Sequence, residues 1–360
     1  MSSTDTPGAG ACPERLAWAG LPEIQPRSRR LTTCEALEVS RLEIVQFADD
    51  HLEEAGRLLA DRHRRHRESE PLLAARFEDP HEAAREVSAV WDRADSSGAA
   101  ALRDGRLAGY LIGAAHETEI WGDNVWVEAA AHAAEDPEDA RDLYASAAST
   151  WVEGGATRHY VIVPATDRKL VDAWFRLGFG QQQAHGVLEV PGDVEPRVPE
   201  GFEISSPREE DVEALIAVDM ALPTHQRSSP VFSGVRLPSD DEIRSEWHST
   251  LAGTEETVLI GLHDGRPVAV WSFSRANSSA HYNGLMEPER AAYLAFASTL
   301  PESRGSGIGV ALTDAVLAAA AEQGYSTMVT DWRVTNLLAS RFWPRRGFRH
   351  AFLRLYRSIP

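Results

Sequence analysis

From residue 200 onward, apolar and polar positions fall into stretches that predict a definite series of elements. A short strand at 202–206 runs into Glu209-Glu210-Asp211, whose carboxylates suit the positive end of a helix macrodipole. An amphipathic helix follows at Asp240–Thr250. Strand patterns at Thr257–Leu262 and Val268–Ser274 flank His263-Asp264-Gly265-Arg266, where the Asp-Gly pair predicts a tight hairpin turn. The strand Ala291–Leu300 leads into a glycine-rich turn and a helix from Gly307 to Gln323, with Gly324 as its stop. Strand Ser326–Asp331, helix Thr335–Arg345 and strand Arg349–Arg357 close the series. The order β–α–α–β–β–β–α–β–α–β predicts an α/β class fold. Its sheet is mixed and mostly antiparallel, flanked by helices, with one parallel βαβ unit at its centre.

The same grammar occurs twice. At an offset of about 160 positions, Leu42-Glu43-Ile44 lies on Phe202-Glu203-Ile204, and Asp104-Gly105-Arg106 on Asp264-Gly265-Arg266. The offset then grows to about 169, bringing Gly155 onto Gly324, Trp174 onto Trp343, and Gly178-Phe179 onto Gly347-Phe348. The ordered matches predict two tandem domains of one fold, 41–192 and 200–360, joined by a Pro- and acid-rich linker at 193–199. Residues 1–40 are expected to form a mobile tail, with one docked turn around Leu16–Leu21.

The 360 residues carry a net charge of −19, with −15 in residues 1–200 and −4 in 201–360. That balance argues against sequence-independent nucleic-acid binding, which runs on Lys and Arg neutralising phosphates. Both cysteines, Cys12 and Cys34, lie in the tail, so no disulfide framework, cysteine metal site or core thiol nucleophile is expected. No apolar run approaches a membrane span, and the N-terminus lacks the pattern of a signal peptide. The expectation is a soluble cytoplasmic protein without a metal, a monomer or homodimer, with no nucleic-acid or membrane partner.

The segment with most chemistry is Pro301-Glu302-Ser303-Arg304-Gly305-Ser306-Gly307-Ile308-Gly309-Val310, between a strand and an Ala/Leu-rich helix. Three glycines let successive amides converge on one anion, and the helix N-terminus adds unpaired donors. Pyrophosphate binding is the predicted chemistry. A Walker loop would need a lysine here, and a dinucleotide fingerprint a different glycine spacing. The segment resembles the GCN5-related N-acetyltransferases, whose Arg/Gln-x-x-Gly-x-Gly/Ala signature appears as Arg304, Gly307 and Gly309. Their downstream pattern appears as Asn336, Ala339, Phe342-Trp343 and Gly347-Phe348.

The resemblance implies that acetyl-CoA is the co-substrate, its pantetheine lying in a gap between two splayed strands. It implies that the main chain of Ser298 and Thr299 pairs with the pantetheine. Arg304, Gly305, Ser306, Gly307, Ile308 and Gly309 would hold the phosphates, and Asn336 would line the cleft. In the first copy the loop becomes Glu135, Asp136, Pro137, Glu138, Asp139 and Ala140, and Asn336 becomes Asp167. Four carboxylates repel a pyrophosphate, and no glycine remains. The first copy is therefore expected to bind no CoA and to have a structural task, covering the second sheet or shaping the acceptor pocket.

Catalytic residues are less defined. The family's usual glutamate base falls on Tyr293, and its usual tyrosine acid falls on Trp343. Tyr293, His281, Tyr282 and Glu287 are the candidate acid–base groups, and His225, with Thr224 and Arg227, a candidate acceptor lining. The basic run Asp61-Arg62-His63-Arg64-Arg65-His66-Arg67 reads as the solvated face of a helix. The arginines 333, 341, 345, 346, 349, 354 and 357 are expected either at a CoA phosphate or against the acidic first copy. The resulting expectation is an acetyl-CoA-dependent N-acetyltransferase acting through its second copy on the primary amine of a small molecule. The alternatives are a non-catalytic acyl-CoA sensor or scaffold, and a protein-lysine acetyltransferase. An aminoacyl-transferase using charged tRNA is disfavoured by the charge.

Overall fold

The computed structural model describes residues 42–116, 121–276 and 284–360. The tail with Leu16–Leu21, Cys12 and Cys34, and the candidates His281 and Tyr282, lie outside the described residues. The first half runs β1 (Leu42–Gln46), α1 (Leu52–Ser69), α2 (Pro80–Trp91), β2 (Ser97–Arg103), β3 (Arg106–Gly113), β4 (Asn124–Val127), β5 (His132–Ala134), α3 (Asp139–Glu153), β6 (Arg158–Pro164), α4 (Arg168–Arg176) and β7 (Gly180–Glu189). The second runs β8 (Phe202–Ser205), α5 (Val212–Arg227), α6 (Asp240–Ala252), β9 (Glu256–His263), β10 (Arg266–Arg275), β11 (Ala291–Thr299), α7 (Ile308–Glu322), β12 (Thr327–Arg333), α8 (Leu337–Arg345) and β13 (Arg349–Ser358).

The halves repeat element for element, with β4 and β5 together standing where β11 stands. Their hairpins share one turn chemistry. Asp104 and Gly105 have φ of 53° and 75°, Asp264 and Gly265 of 50° and 73°. Two successive left-handed residues match the twist of a hairpin, and Asp-Gly tolerates them best. The helices after β6 and β12 start alike too, with the side chains of Asp167 and Asn336 accepting main-chain amides of the first turn.

The sheets join in a way that the repeat does not announce. One sheet orders as β1-β2-β3-β5, the other as β4-β6-β13-β7-β12-β11-β10-β9-β8. Each half's final strand lies beside the other half's penultimate one. Strand β13 runs antiparallel to β6 (Phe352↔Pro164 to Ser358↔Arg158), and β7 antiparallel to β12 (Thr327↔Glu189 to Arg333↔Gln183). The two final strands also pair with each other, from Arg349↔Val187 to Tyr356↔Gly180. The described residues after the tail accordingly pack as one unit. A continuous apolar core runs through both halves, from Phe47 to Leu355. A smaller one, around Leu215, Trp247, Ile260 and Val270, fills the space under α5 and α6. No described helix is long and apolar enough to cross a membrane.

The basic run in α1 departs from its reading as a solvated face. Arg62, His63 and His66 are 4%, 1% and 3% exposed, while Arg64 and Arg65 face solvent. Positions 55, 59, 62, 63 and 66 share one helical face, so the apolar stripe of Ala55 and Leu59 continues into these side chains. His63 Nε2 lies 2.8 Å from the Ala74 carbonyl, and the His66 ring meets Phe352 edge-on.

Candidate functional site

Strands β11 and β12 are parallel and pair only at their starts, Ala291–Tyr293 against Thr327–Val329. Beyond Tyr293 they part, held at the fork by a 2.9 Å bond from Thr330 Oγ1 to the Leu294 carbonyl. On the far side β11 stays paired with β10, where the Leu300 amide donates to Val268. Antiparallel ladders alternate, so the main-chain groups of Ser298 also face β10 and those of Ala297 and Thr299 face the opening. Ser298 is thus turned away from the role expected of its main chain. Ala297, which the sequence reading omitted, presents its main-chain groups to the opening instead. The Thr299 carbonyl already accepts Arg304 Nε at 3.2 Å, which ties the strand end to the turn that follows.

The opening widens into a cleft of about 630 Å³. Ser298, Thr299, Arg304, Gly305, Gly307, Gly309 and Asn336 all line it. Ile308 does not, because its side chain packs into the core against Gly261. Ser306 instead caps the turn, its Oγ accepting the Ile308 amide at 3.3 Å. Gly305 and Gly307 have φ of 82° and 96°, a region that costs other residues strain. Gly309 keeps the turn close to the wall, since a Cβ there would lie 3.3 Å from the Trp271 ring, a tight contact. Helix α7 starts after Gly307, which has no side chain to cap it. The Ile308 amide is held by Ser306 and the Val310 amide by the Gly307 carbonyl, while Gly309 lies between them at the cleft, where the helix dipole favours an anion.

Helix α8 supplies the opposite wall and most of the charge. Arg341, Arg345 and Arg346 line the cleft with Arg304, and no carboxylate lines it among the described residues. Convergent amides, four guanidinium groups and unpaired strand main chain fit a ligand with phosphates at one end and amides along its length. The rest of the arginine run faces the first half. Arg349 binds Glu70 at 2.7 Å, Arg354 donates to Gln182 while lying over Trp121, and Arg357 donates to the Leu177 carbonyl. The expected meeting with the first copy thus holds for these members, with a carboxylate as the partner of Arg349, whereas Arg341, Arg345 and Arg346 line the cleft.

In the first half the corresponding site is filled. Strand β4 pairs with β6, then the chain kinks and β5 joins β3. His132 bridges the resulting gap, its Nε2 lying 2.8 Å from the Ile162 carbonyl, and Arg62 bonds the carbonyls of His132 and Ala129. Burial, helped by Arg62, pushes His132 down to about 3, so the ring is neutral. The acidic loop pairs internally. Glu135 binds Arg106, Glu138 binds Arg141 and Arg176, and Asp139 binds Arg103.

The described catalytic candidates do not converge on the cleft. Tyr293 sits in the closed part of the fork, its hydroxyl donating to Asp331 at 2.9 Å. Burial first, then the neighbouring carboxylate, push its phenol far up, so it keeps its proton. Glu287 is half-buried and away from the cleft, in a turn whose Gly284 abuts Glu86 of α2. Thr224 and Arg227 are exposed outside the lining, whereas His225 lines it and bonds Asn336. Trp343 forms part of the wall.

Residues 222–348 match the acetyltransferase (GNAT) family model. Among solved structures, the chain is similar to a GCN5-related N-acetyltransferase from Sphaerobacter thermophilus. The identity is 14%, over 88% of this chain and 95% of that one, with a TM-score of 0.55. Further similarities are to a tandem GNAT protein from the clavulanic acid biosynthesis pathway (16% identity, 88% and 98% covered, TM-score 0.47) and to a GCN5-related N-acetyltransferase from Kribbella flavida (16%, 70% and 88%, 0.41). No curated protein matches the chain.

Proposed function

From the match of residues 222–348 to the GNAT acetyltransferase family model, we propose that the chain acetylates the primary amine of a small molecule at the cleft of its second half. The observation that carries the reading is the fork between β11 and β12, which ends on a glycine turn at the N-terminus of α7. The amides of Gly305, Gly307 and Gly309, with Arg304, Arg341, Arg345 and Arg346, would hold the phosphates of acetyl-CoA. The open main chain of Ala297 and the amide of Thr299 would pair with the pantetheine amides. Bound there, acetyl-CoA supplies the thioester carbon that an amine attacks. The first half, 41–192, binds no CoA in this proposal, because its gap is filled by Arg62 and His132 and its loop is acidic. It serves the second half by completing its sheet.

The test is titration calorimetry of the full chain with acetyl-CoA, followed by a panel of small primary amines scored by thiol release. One molecule bound per chain is expected, with thiol release for part of the panel. A stoichiometry of two would refute the filled first site, and no binding would refute the reading as a whole. A second reading, acyl-CoA binding without turnover, is favoured by one observation: Tyr293, where the family's base would stand, is buried and committed to Asp331. Binding without thiol release from any amine would establish it. Acetylation of intact proteins but of no free amine would instead identify a protein-lysine acetyltransferase.

A further inference from the structure

Among the described residues lining the cleft, the ionisable side chains are four arginines and one histidine. Arginine keeps its proton at any working pH, and imidazole is the side chain that exchanges one near neutrality. His225 stands on the last turn of α5, facing the start of α8, and its Nε2 lies 3.3 Å from Asn336 Oδ1. The identity of that Asn336 atom is fixed independently. It accepts the amides of Leu338 and Ala339 at 3.2 and 3.3 Å as the cap of α8. An amide nitrogen could not accept those bonds, so the atom is oxygen. An oxygen that only accepts obliges the facing imidazole nitrogen to carry the hydrogen. The helix cap therefore sets the tautomer of His225: hydrogen on Nε2, lone pair on Nδ1.

Resting on the acetyl-transfer reading, we propose that His225 Nδ1 is the base that takes the proton from the acceptor ammonium, with Asn336 as the positioning residue that fixes its tautomer. The proton balance closes without another reactant. The ammonium gives one proton to Nδ1, and its nitrogen forms the N–C bond as the C–S bond breaks. Nδ1 then returns its proton to the departing sulfur. The second amine proton leaves to solvent, so one proton is released per amide formed. His225 thus serves as base and acid in turn, the two tasks that Tyr293 and Trp343 are unsuited to perform. The charged groups sharing the cleft with the ring are Arg304 from the loop and Arg341, Arg345 and Arg346 from α8, with Arg227 following on α5 itself.

His225→Gln separates the roles, because glutamine can still donate to Asn336 but cannot take up a proton. Calorimetry with acetyl-CoA alone is expected to show affinity within about threefold of the native chain, and the most active amine of the panel a kcat/KM lower by about a hundredfold. The acidic limb of the pH profile should also disappear, which a merely structural histidine would not cause. Unchanged kcat/KM, or a retained acidic limb, overturns the proposal while leaving the reading intact. Absence of acetyl-CoA binding by the native chain overturns the reading instead. An activity-independent readout is nitrogen NMR of the full chain labelled with ¹⁵N-histidine, with His225→Gln identifying the signal. In the neutral ring, hydrogen on Nε2 and an unprotonated Nδ1 are expected; a neutral ring with its hydrogen on Nδ1 would overturn the tautomer argument.

Discussion

Cutting the chain between its halves tests the interleaved sheet most directly. A fragment of residues 200–360 keeps β12 and β13 but loses β7, which lies between them. Seven residues of β12, Thr327–Arg333, pair with β7, and β13 pairs with it from Arg349 to Tyr356. At about 1 kcal/mol net per main-chain hydrogen bond, losing either ladder removes on the order of 7 kcal/mol. That is comparable with the whole stability of an ordinary domain, roughly 5–15 kcal/mol. The apolar faces of Ala184 and Val187, fully packed in the intact sheet, leave with the strand. The fragment should aggregate, or bind acetyl-CoA more than tenfold more weakly, a loss of about 1.4 kcal/mol. Co-expressed with residues 1–192, it should co-purify as a soluble pair that binds acetyl-CoA, because each piece carries the strand that the other needs. Size exclusion and calorimetry on the three preparations decide the matter. A monomeric 200–360 fragment with native affinity would refute the argument.

The buried histidines make a second prediction. Burial lowers His63 to about 4 and His66 and His132 to about 3, against about 6.5 in the unfolded chain. Their contribution is complete above pH 6.5 and drains away as the pH falls from there toward 3–4. At pH 5 it amounts to about 2 kcal/mol lost per histidine, so the urea midpoint should drop clearly between pH 7 and 5; a flat midpoint contradicts the burial. The third concerns the acidic loop. Replacing Glu135, Asp136, Glu138 and Asp139 by their amides should leave turnover within about twofold, since the pairing arginines 103, 106, 141 and 176 all belong to the first half. Lost turnover would mean that those carboxylates meet substrate.

What could be read from the sequence was local. The Asp-Gly hairpin, the glycine turn before α7 and the stop at Gly324 each depend on backbone angles that few residues tolerate, and so they leave a mark. The interleaving leaves none. A final strand reads the same whichever penultimate strand it lies beside, because either neighbour satisfies its main chain and both faces of the sheet are covered. The burial of Arg62, His63 and His66 was legible in principle from their spacing with Ala55 and Leu59. Their polarity masked it, because it is the carbonyls of Ala74, Ala129 and His132 that satisfy two of these side chains, and no short motif encodes such partners. His225 lies 111 residues from Asn336, so only the folded chain brings the two together.

The antiparallel meeting of β7 with β13 has the form that two identical strands would take across a two-fold axis. Two separate copies joined in that way would depend on concentration and would fall apart on dilution. A covalent tether of twelve residues, 190–201, between β7 and β8 makes the encounter intramolecular, at an effective concentration on the order of millimolar. It also distinguishes the partners: in an assembly of identical subunits a substitution enters both sites at once, whereas in the tethered pair each half can change alone. The first half has used that freedom to fill its own gap with Arg62 and His132 while still lending a strand to its neighbour.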